Sequence, residues 1–226
     1  MVVFDMDGTV VDTSGDLVIT ANEVRSHMGL PTLSEQFVHS CVGDALLPLI
    51  EKLFHDTPER IQEAVPIFQQ TYRRHVLGNT IPYKGIDRVF KQLRSAGIRV
   101  GILSNKPSEL VRIPLYHFNL SPLLDFIYGG DSFRERKPSP KPIRRILIHF
   151  GIAPDRCVMV GDAPSDIRAG KEAGTRTVGV SYGFSSLQDL EQAGPDAIAE
   201  TPLDILNPIT QWNGPDEYMS PQDCAL

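Results

Sequence analysis

Residues 1–13 read MVVFDMDGTVVDT and place two carboxylates, Asp5 and Asp7, directly after a short apolar run. The run at residues 2–4 predicts a short buried strand. Side chains two residues apart in an extended strand point to the same face. Two carboxylates on one face repel each other unless a cation lies against them or one of them holds a proton. The stretch therefore predicts a strand that ends in a cation-binding site.

Beyond residue 85, helix patterns alternate with apolar runs that end in polar residues. The apolar runs lie at 98–105, 126–132, 156–166 and 175–183, and the helix patterns lie at 86–96, 108–118, 140–150 and 165–173. This alternation predicts an α/β fold, with a parallel sheet and helices on both of its faces. Right-handed crossovers then bring the carboxyl ends of the strands to one edge, where open α/β sheets bind ligands.

A block of helix patterns, residues 13–80, interrupts this order directly after the first strand, with helices expected at 15–30, 44–55 and 58–77. Its chain leaves and returns at the same edge of the sheet, so we expect the block to lie over the site as a lid. The domain division is then 1–12 and 81–226 for the core and 13–80 for the lid. The tail from about residue 207 has little periodicity and is interpreted as peripheral, ordered in part by packing of Trp212.

Composition and charge limit the partners and the location that we expect for the protein. The formal net charge of −6 over 226 residues argues against a nucleic-acid partner, whose phosphates it would repel. No apolar run approaches the ~18 residues of a membrane span, and no signal-peptide pattern is present, so we expect no membrane partner and a cytoplasmic location. Cys41, Cys157 and Cys224 are widely spaced and are expected to be reduced.

Polar residues follow the predicted strands, and they suit phosphoryl transfer. Asp5, Asp7, Asp162 and Asp166 converge as hard oxygen ligands, a set suited to Mg²⁺. One carboxylate can attack phosphorus, and the second can protonate the leaving oxygen and later activate water. Lys137 supplies a cation beside two prolines, and Ser104 and Asn105 supply donors for the moving oxygens. These parts suffice for a phosphate-ester hydrolase.

Four motifs carry a resemblance to a known family: D-x-D-G-T at 5–9, S-N at 104–105, K-P-x-P at 137–140 and G-D-x-x-x-D at 161–166. Together and in this order they resemble the motifs of the haloacid dehalogenase-like hydrolase superfamily. The resemblance implies a Rossmann-like three-layer core with an inserted all-helical cap.

Within the superfamily, SNKP at 104–107, GGDS at 129–132 and KPSP at 137–140 are similar to signatures of phosphoglycolate phosphatases. The VGD at 42–44 resembles the substrate loop of their cap. The sequence departs from that group at Ala45, where glycine is usual, and at Lys141, where an acidic or neutral residue is commoner.

The resemblance implies a role for each motif residue. Asp5 would be the nucleophile and Asp7 the acid and base, while the phosphoryl group would contact the following residues: Gly8, Ser104, Asn105 and Lys137. Mg²⁺ would be held by the side chain of Asp5, the backbone carbonyl of Asp7, Asp162 and Asp166. The protein would be a monomer or homodimer that hydrolyses a small phosphate ester, with 2-phosphoglycolate favoured, through an aspartyl-phosphate.

Three alternatives stay open for the function: a sugar phosphomutase, a phosphatase for another small ester or pyrophosphate, and a binding protein that has lost catalysis. Others concern single residues. Asp166 could cap a helix, Asp12 could brace the hinge, and Asp131 could join the metal shell or brace a loop. Charged residues of the helical block are candidates for substrate contact, although solvated charges are favoured: Arg25, Asp44 and Lys52.

Overall fold

The structure, a computed structural model, describes residues 1–42 and 46–213. Within these ranges the strands are β1 Val2–Phe4, β2 Val11–Asp12, β3 Ile81–Pro82, β4 Val100–Leu103, β5 Phe126–Tyr128, β6 Val158–Gly161, β7 Arg176–Val180 and β8 Ala197–Ala199. The α-helices are α1 Ser14–His27, α2 Glu35–Cys41, α3 Leu46–Leu53, α4 Ile61–His75, α5 Ile86–Ser95, α6 Ser108–His117, α7 Lys141–Phe150, α8 Pro164–Ala173, α9 Leu187–Ala193 and α10 Leu206–Asn213.

Six strands form one parallel sheet in the order β5-β4-β1-β6-β7-β8, which places β1 at its centre. Val3 pairs with Gly101 of β4 on one side and with Met159 of β6 on the other. Because alternate side chains of a strand face opposite ways, Val2 and Phe4 pack into the cluster that contains α5, whereas Val3 packs into the cluster that contains α7. The predicted fold class is therefore confirmed: a parallel sheet lies between two helical layers.

The four helices between β2 and β3 have a hydrophobic cluster of their own. We call residues 14–75, which contain α1 to α4, the helical segment. The cluster includes Val24, Phe54 and Phe68, and one core residue, Leu110 of α6, joins it. The predicted helices at 15–30 and 58–77 match α1 and α4 closely, whereas α2 was not predicted.

Arg25 contradicts both interpretations that the sequence allowed, substrate contact and a solvated charge. Its side chain is 1% exposed, and its guanidinium donates to both carboxylate oxygens of Asp56, at 2.9 and 2.6 Å, and to the carbonyls of Pro31 and Leu53. Arg25 therefore joins the loops of the helical segment from inside. Of the other two candidates, Lys52 is exposed on α3, and Asp44 lies outside the described residues.

A two-stranded antiparallel ribbon marks where the chain passes into and out of the helical segment. Val11 of β2 pairs with Pro82 of β3, and Asp12 pairs with Ile81. Strands of two residues are too short to leave a periodic pattern, so the sequence did not predict them. The Asp12 carboxylate accepts hydrogen bonds from the backbone N–H and the hydroxyl of Ser14, at the start of α1, and its role at a hinge stays a prediction.

Residues 207–213 belong to α10, where Ile209 is 3% exposed, so the prediction that the chain is peripheral from residue 207 was wrong for them. The expected packing of Trp212 is confirmed: it lies against the main cluster beneath the guanidinium of Arg176. Residues 214–226, including Cys224, lie outside the described part. Cys41 and Cys157 are buried and free. None of the helices described is long and apolar enough to cross a membrane.

Asp16 ties the first turn of α1 to the chain that returns from α4. Its buried carboxylate accepts hydrogen bonds from the backbone N–H groups of Leu77, Asn79 and Thr80, and from the side chains of Asn79 and Thr80. Such charge-assisted hydrogen bonds are stronger than neutral ones. A single carboxylate thus fixes both ends of the helical segment near the ribbon.

We predict that Asp16→Asn lowers the free energy of unfolding by about 3 kcal/mol, because an amide offers one acceptor oxygen and leaves buried donors unsatisfied. The melting temperature should fall by roughly 5–10 °C. Asp155→Asn, at an exposed position, is the control and should stay within about 0.5 kcal/mol of the parent protein. An unchanged melting temperature in Asp16→Asn would contradict the bracing role.

Candidate active site

The carboxyl ends of β1, β4 and β6 meet at one edge of the sheet and place Asp5, Ser104 and Asp162 close together. Lys137 reaches them from the loop before α7. Its Nζ lies 2.7 Å from Oδ1 of Asp5 and 2.6 Å from Oδ1 of Asp166, and its side chain is 2% exposed. Burial lowers the pKa of Lys137, but the two carboxylates outweigh burial and raise it above its usual value. A permanently charged lysine therefore lies between two acids.

Asn105 fixes the backbone of Lys137. Its side-chain Nδ2 donates to the Lys137 carbonyl at 2.9 Å, and the Lys137 N–H donates to Asn105 Oδ1 at 3.0 Å. The sequence predicts Asn105 among the phosphate contacts; in the structure its amide side chain holds the Lys137 backbone and Asn105 lines the cleft, and its contact with phosphate stays a prediction. Ser104, 3% exposed, accepts a hydrogen bond from the Lys106 N–H through its hydroxyl oxygen.

Three carboxylates form a cluster that suits a divalent cation. Asp5, Asp162 and Asp166 each offer one oxygen, and these oxygens lie within 4.8 Å of one another. Burial raises the pKa of Asp162 to about 8, with help from the charges of Asp5 and Asp166. Burial also raises the pKa of Asp5 to about 7, although Lys137 opposes it. One lysine does not balance three acids, and the hard oxygen donors fit Mg²⁺.

Two motif glycines allow this crowding. Gly8 has a φ of +78°, and a Cβ there would lie 2.3 Å from Oδ2 of Asp162. A Cβ on Gly161 would lie 2.3 Å from Cγ of Asp166. A side chain at either position would displace a carboxylate of the cluster. For Gly8, expected among the phosphate contacts, the structure shows this close packing against Asp162.

Asp166 and Asp162 are held by their own donors. Asp166 lies in the first turn of α8 and accepts the Ala163 N–H at 3.1 Å, so it serves the helix start and the acidic cluster together. Asp162 accepts the hydroxyl of Thr9 at 3.1 Å and the Phe184 N–H at 2.9 Å. These hydrogen bonds orient both carboxylates before any cation binds.

Asp7 makes a separate set of contacts that was not predicted from the sequence. Its Oδ1 accepts hydrogen bonds from Lys106 Nζ at 2.7 Å and from the Thr13 hydroxyl at 2.8 Å. Lys106 Nζ also lies 2.6 Å from the hydroxyl of Tyr72 on α4. Burial lowers the pKa of Lys106, but Asp7 and Tyr72 outweigh burial and raise it. The only sequence signal was the position of Lys106 directly after Ser-Asn at a strand end.

Asp131 braces a loop, which answers the alternative left open for it. Its Oδ1 accepts the Ser108 N–H at 2.9 Å and the Ser108 hydroxyl, at the start of α6. Among the described residues it is not part of the acidic cluster. Lys141, the unusual residue after the K-P-x-P motif, pairs with Glu135 at 2.9 Å.

A cleft opens above these residues, between the sheet edge and the helical segment. Its floor includes Asp5, Asp7, Ser104 and Lys137. The opposite wall comes from α1, α3, α4 and the residue after α2. The carboxylates of the floor therefore face the side chains of the helical segment across the cleft.

The chain is similar to known proteins over most of its length. Residues 2–180 match the family model for haloacid dehalogenase-like hydrolases. The phosphoglycolate phosphatase of Aquifex aeolicus (strain VF5) is 33% identical over 206 residues, which cover 91% of this chain and 94% of that protein. The phosphoglycolate phosphatase of Nitrosococcus oceani is 31% identical and covers 93% of this chain and 96% of its own.

A solved structure also matches. The crystal structure of a predicted phosphoglycolate phosphatase from Haemophilus somnus 129pt superposes with a TM-score of 0.87 at 27% identity. The match covers 93% of this chain and 97% of that chain.

We predict that Mg²⁺ stabilises the protein through the acidic cluster. At a concentration about 100 times its Kd, the ion should add about 2.7 kcal/mol to the free energy of unfolding. Asp162→Asn should abolish that increment, because it removes one of the three carboxylates. Asp131→Asn is the control, since that acid lies at the same edge but outside the cluster, and it should keep the increment. Thermal melts with and without Mg²⁺ measure it; an equal increment in Asp162→Asn would exclude the site.

Proposed function

The chain belongs to the haloacid dehalogenase-like hydrolases and is a phosphatase, and from that premise we propose that it hydrolyses a small phosphomonoester through a phosphorylated Asp5, with Mg²⁺ as cofactor. The observation that carries the proposal is the position of Asp5. Its carboxylate lies at the floor of the cleft, 2.7 Å from the buried Lys137 Nζ and beside two further acids. A carboxylate placed in this way is suited to accept a phosphoryl group.

In the first step, a carboxylate oxygen of Asp5 attacks phosphorus, and the bond between phosphorus and the ester oxygen breaks. Lys137 Nζ and the Ser104 hydroxyl bind the phosphoryl oxygens as their charge shifts. Asp7 gives its proton to the departing oxygen, so the product leaves as an alcohol. Its hydrogen bonds from Lys106 and Thr13 hold the Asp7 carboxylate in one orientation toward the cleft.

In the second step, Asp7 takes a proton from water, the water oxygen attacks phosphorus, and the bond between phosphorus and Asp5 breaks. Inorganic phosphate leaves and Asp5 is restored. Mg²⁺, held by the side chains of Asp5, Asp162 and Asp166 and by the Asp7 carbonyl, would neutralise the negative charge that gathers around the phosphoryl group.

We also propose that residues 13–80 form a cap over a core of residues 1–12 and 81–226. The separate hydrophobic cluster of the helical segment and the ribbon of β2 and β3 support this division. Among the described residues, Leu110 packs into the cluster of the helical segment, and two polar contacts also join the parts: Lys106 with Tyr72, and Arg73 with Glu109 at 3.3 Å. A cap held at these points excludes water from the cleft.

The first candidate substrate is 2-phosphoglycolate, because relatives about one-third identical carry the name phosphoglycolate phosphatase. A phosphomutase and a phosphatase for other small esters or pyrophosphate share the same first step. Measurement of free phosphate against hexose-phosphate interconversion separates a phosphatase from a mutase. The cytoplasmic location and the monomeric or homodimeric state stay predictions.

We predict that Asp5→Asn lowers kcat for phosphate release at least about 1,000-fold, because the amide is a far weaker nucleophile. Chelation of Mg²⁺ should have a comparable effect. Asp7→Asn should also lose turnover, yet it should slowly accept phosphate from an aryl ester, whose leaving group needs no proton. Intact-mass measurement would then detect the phosphorylated protein. Asp155→Asn is the matched control and should keep the kcat of the parent protein; a kcat in Asp5→Asn close to that of the parent protein would exclude the phospho-Asp5 mechanism.

A further inference from the structure

The wall of the cleft that faces the acids is largely apolar. Six apolar side chains of the helical segment and α6 form it: Leu17, Val42, Leu46, Leu49, Phe68 and Leu110. Four of these belong to the hydrophobic cluster of the helical segment, and Val42 and Leu46 are half-buried and pack against it. The wall is therefore continuous with a hydrophobic core, although it borders the reactive groups.

Each cation among the described residues that line the cleft already has an acid beside it. Lys137 lies between Asp5 and Asp166, and Lys106 pairs with Asp7. Arg73, at the cleft's rim, pairs with Glu109 on α6. The Tyr72 hydroxyl, another polar group of the lining, is bound to Lys106. A carboxylate on the leaving group would have to displace one of these partners, bind the half-buried amide of Gln69, which also lines the cleft, or lie against apolar side chains.

The two ends of a bound ester therefore meet different surroundings. The phosphoryl end lies among donors and buried charges at the floor of the cleft. The alcohol end would face the wall, where six apolar side chains offer no hydrogen bond to a charged group that has lost its water. An apolar group in the same place would instead gain from leaving water.

We infer that the cleft accepts phosphomonoesters whose leaving group is an apolar alcohol, a substrate class beyond 2-phosphoglycolate. The inference rests on the proposed function, since it concerns the leaving group of the same reaction. Water and the ester give the alcohol and inorganic phosphate. The bond between phosphorus and the ester oxygen breaks, the alcohol leaves with the proton from Asp7, and the oxygen of water joins phosphorus.

A series of straight-chain alkyl phosphates tests the wall without changing the chemistry, because ethyl, butyl and hexyl alcohols are similar leaving groups. Each methylene that becomes buried against the wall should raise kcat/KM up to about fourfold. We expect hexyl phosphate to exceed ethyl phosphate by at least about tenfold in kcat/KM. Phosphate release from 2-phosphoglycolate is measured in parallel.

Two neighbouring leucines of α3 provide a matched pair of variants. Leu46 lines the cleft, whereas Leu47 is 45% exposed and does not. Leu46→Gln should lower the hexyl-to-ethyl ratio of kcat/KM at least about fivefold, because the amide loses favourable contact with the longer chain. Leu47→Gln should keep the ratio of the parent protein. Val42→Thr, which conserves volume at a second wall position, should lower the ratio in the same direction, and thermal melts verify that all three variants fold.

The outcomes separate this inference from the proposed function. The inference is supported if kcat/KM rises with alkyl length in the parent protein and rises less in Leu46→Gln and Val42→Thr. A flat or falling series, with 2-phosphoglycolate still hydrolysed, overturns the inference and leaves the proposed function standing. The inference is also overturned if kcat/KM rises with alkyl length but Leu47→Gln lowers the hexyl-to-ethyl ratio as much as Leu46→Gln, because the alkyl chain would then lie elsewhere. Phosphate release from none of these esters would overturn the proposed function, and the inference with it.

Discussion

The contact between the buried Lys137 ammonium and the carboxylates of Asp5 and Asp166 is the interaction on which the site depends. A buried acid is costly unless a partner offsets its charge, and here one cation serves two acids while a third, Asp162, lies beside them. The surrounding structure holds this arrangement in place. Asn105 fixes the backbone of Lys137, and glycines at positions 8 and 161 leave room for the carboxylates. Because burial raises the pKa of Asp5 to about 7 and that of Asp162 to about 8, a bound cation would favour their charged forms, and this is the physical reason to expect one.

Each of the described acids near the first strand has hydrogen-bond partners of its own. Asp5 has Lys137, Asp7 has Lys106 and Thr13, and Asp162 has Thr9 and the Phe184 N–H. Asp16, further along, is bound by the chain that returns from α4. These four carboxylates can therefore serve different purposes. Asp5 and Asp162 lie in the acidic cluster, Asp7 faces the cleft beside a lysine, and Asp16 fixes the helical segment.

Much of the fold was predictable because its signals are local. An apolar run that ends in acids predicts a buried strand, and alternation of strands with helices places the strand ends, and hence Asp5, Ser104 and Asp162, at one edge. The contacts that were not predicted depend on long-range packing. Arg25 and Asp56 meet across loops, Lys106 and Tyr72 meet across the cleft, and the two-residue ribbon strands have no period to detect. Helix α10 escaped prediction because Trp212 and Ile209 are ordered by contact with the distant sheet and its neighbours. The roles of the assembled site residues stay proposals.

The two surfaces of the cleft differ in structure, because they come from different parts of the chain. The floor is made of strand ends, whose positions are fixed by backbone hydrogen bonds within the sheet, so its charges are held by a rigid frame. The facing wall is made of helix side chains that also form the helical segment's own core. Side chains on that wall can differ in size and polarity without moving the acids of the floor. In the proposed reaction, the sheet edge would therefore set the chemistry of phosphoryl transfer, whereas the apolar helices that face it would set which leaving group fits.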